Sequence, residues 1–127
     1  MEIKAKFDHY NCNVFDLNNS LAFYDKALGL KVHHQIIAKD DSFIITYLTD
    51  NSTSFLFELT WLRDWKKPYE MGDNEQHLCM RVEGDYDEIR QFHRDNGWVC
   101  YENNDMELYF IEDPDGYWIE ILPVKIK

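Results

Sequence analysis

The chain has 127 residues, enough for one domain or for two small halves sharing a core. Hydrophobic residues at 45% and aromatics at 16% are ample for a packed globule and exclude a disordered acidic tail. A formal net charge of −11 speaks against nucleic acid and anionic membrane as partners, because both need a positive face.

Residues 7–14 alternate well enough for a first strand. Leu17-Asn-Asn-Ser20 then has the form of a helix start, with Asn18 or Asn19 as the expected cap. Leu21, Phe23, Tyr24, Ala27 and Leu28 follow at helical spacing, and Gly29 is a good stop. Strands are expected over 30–38, 43–48 and 54–61, separated by turns over Lys39-Asp-Asp-Ser42 and 49–53. The first half therefore reads β-α-β-β-β.

Residues 62–75 are charged, carry Pro68 and Gly72, and form the natural linker. The pattern then restarts. Residues 77–82 predict a strand, and 85–96 a helix with Tyr86, Ile89, Phe92 and His93 on one side and Gly97 as its stop. Short strands are expected over 98–101, 106–111 and 117–123. The expected fold class is α+β, a tandem of βαβββ modules over 1–66 and 67–127 within one structural domain.

The repeat can be counted. His9 lies five residues before Val14 and twenty before Gly29, and His77 lies five before Val82 and twenty before Gly97, an offset of 68. Each half's last strand carries a lone glutamate between apolar neighbours, Phe57-Glu58-Leu59 and Ile119-Glu120-Ile121, at an offset of 62. Taken singly, a strand histidine is ordinarily a hydrogen-bonded structural residue, and a strand glutamate ordinarily faces solvent. A glutamate amid apolar residues is costly to bury without a partner or a metal. Four ionisable residues at matching places of a duplicated unit are hard to assign to chance. If the two halves pair their sheets about a pseudo-twofold, two imidazoles and two carboxylates line one trough. That set suits a divalent first-row metal with about two positions open to water, octahedral rather than closed and tetrahedral. Open positions that substrate oxygens can take are a catalytic design.

The duplicated unit, the histidine opening each half, Phe57-Glu58-Leu59-Thr60, Tyr69-Glu-Met-Gly72 and Asp113-Pro-Asp-Gly-Tyr-Trp-Ile-Glu120 resemble the vicinal oxygen chelate superfamily. Within it the chain is similar to glyoxalase I (lactoylglutathione lyase), over nearly its whole length. The Asp-Pro-Asp-Gly turn is shared by many members, whereas the full His-Glu-His-Glu set is much more specific. The resemblance implies that His9, Glu58, His77 and Glu120 are metal ligands, with nickel or cobalt ahead of zinc. It implies a small-molecule substrate, the hemithioacetal of methylglyoxal and glutathione, isomerised through an enediolate to S-lactoylglutathione. It also implies Glu120 as first choice for the base that moves the proton, with Glu58 second and both histidines as neutral ligands.

The chain departs from its relatives where they contact glutathione. They commonly carry an arginine four residues after the first histidine and an asparagine four after the first glutamate, and here these are Asn13 and Leu62. Asn13 shares a face with His9 and is a candidate thiol contact. Arg81, four residues after His77 and on its face, is the candidate anchor for a substrate carboxylate, with Lys66 or Lys67 beside it. The plain alternative is an arginine bonded to an acidic neighbour. Trp118 and Leu122 flank Glu120 and are placed either to wall the substrate or to pack the core. Cys79 is expected to be a small buried filler. His33, His34 and His93 lack counterparts in the repeat and receive no role.

Two rival readings differ in class. One is another metal enzyme of the superfamily, a methylmalonyl-CoA-type epimerase above all, although such enzymes usually carry glutamine where Glu58 stands. The other is a metal-free antibiotic-binding resistance module, which has no reason to keep four ligands. Three scattered cysteines without a Cys-x-x-Cys, and no apolar leader in Met1-Glu-Ile-Lys-Ala-Lys6, make the cytoplasm the expected location. A C2 homodimer is the expected assembly.

Overall fold

Two aspartates open the helices. Asp16 has an extended backbone (φ −126°, ψ 104°), and its side chain accepts the Asn19 N–H at 3.0 Å, capping α1, Leu17–Leu28. It takes the role expected of Asn18 or Asn19, because only a residue still in extended conformation can reach over the first turn's free N–H groups. Asp85 caps α2, Tyr86–Asp95, in the same way through Glu88 N–H at 3.0 Å. Gly29 ends α1 in the left-handed region (φ 68°) and returns its N–H to Asp25 O at 2.9 Å.

The computed structural model describes residues 1–124, and the chain divides into two compact units, Met1–Tyr69 and Glu70–Lys127, with 125–127 outside the description. The first unit holds β1 (His9–Asn13), β2 (Lys31–Ile37), β3 (Phe43–Thr49) and β4 (Leu56–Leu62) in the order β1-β4-β3-β2. The second holds β5 (His77–Val82), β6 (Val99–Asn103), β7 (Leu108–Glu112) and β8 (Trp118–Pro123) in the order β5-β8-β7-β6. In each unit the first strand lies parallel to the last, and the other pairs are antiparallel. This is an α+β fold of tandem βαβββ modules. The topology sets the first strand of each unit directly beside its last, which is what brings a histidine and a glutamate into reach.

One face of each sheet makes the core. In the first unit Cys12, Val14, Leu48, Phe57 and Leu59 are buried with Phe23, Tyr24 and Ala27 of α1, and the Tyr24 and Phe57 rings meet at 5.1 Å. In the second, Tyr109, Ile111, Ile119 and Ile121 are buried with His93 of α2, whose Nδ1 lies 2.8 Å from the Tyr109 hydroxyl. His93 is thus a structural histidine. Strand alternation sends the residues between these to the opposite face, Glu58 and Glu120 among them. Leu59 is fully buried, so Leu59→Ala is expected to cost about 2–5 kcal/mol, read as a lower denaturant midpoint in equilibrium unfolding.

The turn before β8 is built by Asp113. Its buried carboxylate accepts the N–H groups of Asp115 and Tyr117, each at 2.9 Å. Gly116 follows at φ 100°, where a Cβ would come within 3.3 Å of Met71 Cγ. The turn therefore launches β8 at a set angle, and with it Trp118 and Glu120.

Candidate metal centre

Each unit carries a half-site of the same construction. In the parallel β1/β4 pair His9 is level with Leu56, and Glu58 stands two residues further along the neighbouring strand. In β5/β8 His77 is level with Trp118, and Glu120 again stands two residues on. The diagonal brings His9 Nε2 to 3.4 Å from Glu58 Oε2, and His77 Nε2 to 3.5 Å from Glu120 Oε1. The imidazoles are about 40% exposed while the carboxylates are only 12% and 17% exposed, so each pair has a dry base and an accessible tip. Among the described residues no group of three or more metal-holding side chains is gathered. A half-site by itself offers two donors.

The donor chemistry fits a divalent ion. Two N or O atoms bound at about 2.0–2.2 Å to one ion, at angles between octahedral and tetrahedral, lie roughly 3.0–3.4 Å apart. The His9–Glu58 separation lies at the upper end of that range, and the His77–Glu120 separation needs only a slight closure to reach it. His9 is further prepared by Asp8, whose Oδ2 lies 2.7 Å from His9 Nδ1. A carboxylate on one ring nitrogen orients the imidazole and leaves the lone pair of the other nitrogen on the Glu58 side, where a metal ion would take it.

The Asp8 hydrogen bond, with a further pull from Glu58, raises His9 above the ordinary imidazole range. In metal-free protein a raised imidazole favours the folded state below the unfolded pKa, and that contribution is lost as pH rises through the folded value. For a metal the sign is opposite, since the bound ring must be neutral. The affinity for any divalent ion held through His9 is therefore expected to fall as pH drops through the His9 pKa. In Asp8→Asn the midpoint of that fall should move to lower pH, as followed by metal titrations between about pH 5 and 8.

The rows of residues across the two sheets differ around this shared geometry. In the first unit Asn11, Glu58, Tyr47 and His34 stand side by side on β1, β4, β3 and β2. Tyr47 is level with Glu58, and that neighbouring carboxylate, with burial, raises the phenol above its ordinary range and keeps it protonated. The Tyr47 ring meets His9 edge-on at 5.6 Å and stacks on His34 at 4.3 Å. In the second unit the corresponding row is Cys79, Glu120, Phe110 and Tyr101. Phe110 meets His77 edge-on at 5.1 Å and lies 5.4 Å from Trp118, which stacks on Tyr101 at 6.2 Å. Cys79 is exposed, against the expectation of a buried filler. Its position on the open face follows from alternation from His77. Desolvation and the Glu120 carboxylate beside it push its thiol up to about 11, so it stays protonated.

The remaining candidates fall as follows. Arg81 is exposed and donates to Pro123 O at 2.9 Å through one guanidinium nitrogen, a backbone contact rather than the acidic neighbour of the plain alternative. Asn13 accepts from Asn11 Nδ2 at 2.9 Å, and Asn11 in turn accepts from the Thr60 hydroxyl. Lys67 lies over the Trp65 ring at 5.1 Å. Trp118 is half-buried, on the same face as Glu120. A cavity of about 330 Å³ beside the start of α1, lined by Phe15, Asp16, Leu17, Asn18, Ile44 and Trp61, contains no half-site residue. Tyr47 and His34 escaped the sequence reading. Their signal, the place in the cross-strand row that each shares with Phe110 or Tyr101, is visible only once the strand register is known.

Duplicated βαβββ units with a histidine and a glutamate on adjacent parallel strands define one class. The chain belongs to the glyoxalase/bleomycin resistance protein/dioxygenase superfamily, which it matches over residues 6–121. Within it the chain is related to lactoylglutathione lyases. It is 30% identical over 124 residues to lactoylglutathione lyase of Neisseria meningitidis, spanning 92% of this chain and 89% of that protein. The trypanothione-dependent glyoxalase I of Leishmania major superposes with a TM-score of 0.81 at 28% identity, over 94% of this chain and 87% of that one. A variant of the fosfomycin resistance protein FosX of Listeria monocytogenes, holding manganese, shares the fold at a TM-score of 0.73 and 12% identity, over 98% and 96% of the two chains. No helix among the described residues is long and apolar enough to cross a membrane.

Proposed function

We propose that the chain is a metal-dependent lyase of the glyoxalase I type, isomerising the hemithioacetal of methylglyoxal and a thiol to the S-lactoyl thioester. Glutathione is the first candidate thiol. The observation that carries the reading is the repeated His–Glu diagonal, His9 with Glu58 and His77 with Glu120, at separations of 3.4 and 3.5 Å. These four residues would hold a divalent ion, nickel or cobalt ahead of zinc, whose role when bound is to polarise the substrate's adjacent oxygens and acidify the C–H between them.

The protein's own part is proton transfer and positioning. Glu120 takes the proton from one carbon and returns it to its neighbour, which needs a carboxylate within hydrogen-bond reach of both. Glu58 is the second candidate for that step. His9 and His77 stay neutral throughout. Trp118, with Phe110 and Tyr101 beside it, offers an apolar wall that keeps water from the reacting carbons. Arg81 retains unused N–H donors for a substrate carboxylate, and Asn13 stands where relatives contact the thiol. Arg81→Ala is expected to raise KM for the hemithioacetal about tenfold or more, the loss of a charge-assisted bond, with kcat little changed in steady-state assays. An unchanged KM removes Arg81 from the site.

A full donor set needs both kinds of half-site, and a C2 homodimer supplies two of each. The reaction is tested by thioester absorbance with methylglyoxal and a panel of thiols after loading with nickel, cobalt or zinc. Turnover with glutathione supports the reading in full, turnover with another thiol only supports the chemistry without glutathione, and no turnover with any thiol sinks it. The lack of the usual arginine and asparagine at Asn13 and Leu62 is why other thiols belong in the panel.

A further inference from the structure

The two half-sites share their histidine, their glutamate and their diagonal, and one of the neighbours at which they differ is a ring level with the glutamate. Tyr47 is level with Glu58 on the adjacent strand, and Phe110 is level with Glu120. Both rings lie edge-on to their half-site's histidine, at 5.6 and 5.1 Å. The single chemical difference between them is a hydroxyl, and in the first unit it stands on the ring that is level with the glutamate. A β-bulge in each unit carries the pattern one strand further. It sets His34 opposite Tyr47 and Tyr101 opposite Phe110. His34 stacks flat on Tyr47, at an interplanar angle of 10° and 4.3 Å, so the phenol is clamped between two imidazoles.

We propose that Tyr47 is a positioning residue that fixes Glu58, and that Phe110 at the matching place leaves Glu120 as the carboxylate free to swing and carry the proton. The inference deepens the glyoxalase I-type reading and rests on it for the proton step. A carboxylate that takes a proton from one carbon and delivers it to the next has to move, and one that only ligates has to stay. An O–H···O⁻ bond from a clamped phenol holds an oxygen in one orientation. The thiol of Cys79, the neighbour of Glu120 on the adjacent strand, is a weaker donor than a phenol. The duplicated fold has thus kept two equivalent glutamates and assigned them different tasks through one hydroxyl. The sequence contrast is equally local, Thr46-Tyr47-Leu48 against Tyr109-Phe110-Ile111.

The test exchanges the hydroxyl between the two rings. Tyr47→Phe and Phe110→Tyr each alter one oxygen on a ring whose packing is otherwise retained, and circular dichroism checks the fold. In full-length protein carrying ¹³C-labelled glutamate, with and without zinc, Tyr47→Phe should shift the Glu58 carboxyl signal and leave that of Glu120. Phe110→Tyr should do the reverse, the signals being assigned with Glu58→Gln and Glu120→Gln. In nickel-loaded protein Glu120→Gln should cost at least tenfold more kcat than Glu58→Gln. Placed in the Tyr47→Phe/Phe110→Tyr background, the two glutamine variants should lose that difference or invert it, with KM held. A Glu58 signal indifferent to Tyr47→Phe, or a kcat ratio unchanged by the double exchange, overturns the proposal. If wild-type protein turns over no thiol, the functional reading falls and the carboxyl signals alone decide whether Tyr47 fixes Glu58.

Discussion

Glu120→Gln at saturating nickel is expected to lower kcat by about 10²–10⁴, the usual worth of a positioned general base. KM should change little. Glutamine preserves the volume of the side chain, keeps an oxygen beside the Cys79 thiol and keeps a possible ligand atom, but it cannot take up a proton. Glu120 is largely shielded at 17% exposure, so bulk water is poorly placed to substitute for it. The loss should therefore appear in steady-state thioester formation as a change in turnover rather than binding. Near-wild-type kcat in this variant would mean that the proton moves through another group, with Glu58 next in line.

Chelation is expected to abolish turnover altogether and leave the fold in place. The donor atoms sit on strands whose opposite faces are packed by Leu59, Ile119 and Ile121, so the scaffold does not need the metal to fold. Activity should return with nickel or cobalt and less fully with zinc. A distinguishing control is the unfolding midpoint: it should rise with added metal by mass action but remain that of a cooperatively folded protein without it. Activity that survives exhaustive chelation, with metal content verified, would contradict a metal-dependent mechanism.

The parts of this architecture legible from sequence are those set by local periodicity. Alternation placed Glu58 and Glu120 on the face opposite Phe57, Leu59, Ile119 and Ile121, and counting offsets linked each to a histidine. Glycine chemistry located the end of α1 at Gly29. What escaped depends on non-local geometry. Asp16, Asn18 and Asn19 are all competent caps, and only the backbone angles choose Asp16. The cross-strand row through Tyr47 and His34 needs a register that the bulge at His33 shifts by one residue, which reverses the face of everything beyond it. His34 therefore carried no visible signal, although it stacks on the ring that is level with Glu58. Cys79 was misjudged for a related reason: composition favours burial of a cysteine, whereas its register with Glu120 puts it on the open face.

The central claim is that the two half-sites bind metal as one kind of centre, and a nickel titration of five proteins tests it most directly. Wild-type chain is compared with His9→Ala, Glu58→Gln, His77→Ala and Glu120→Gln, each checked for fold. The account predicts saturable binding to wild type and a loss of affinity in all four variants that exceeds the roughly 10–100-fold cost of removing an outer-shell partner for the two histidines. It predicts a smaller loss for the glutamine variants, which keep an oxygen donor. Wild-type affinity in either histidine variant would show that one half-site plays no part in holding the metal, and would contradict the account.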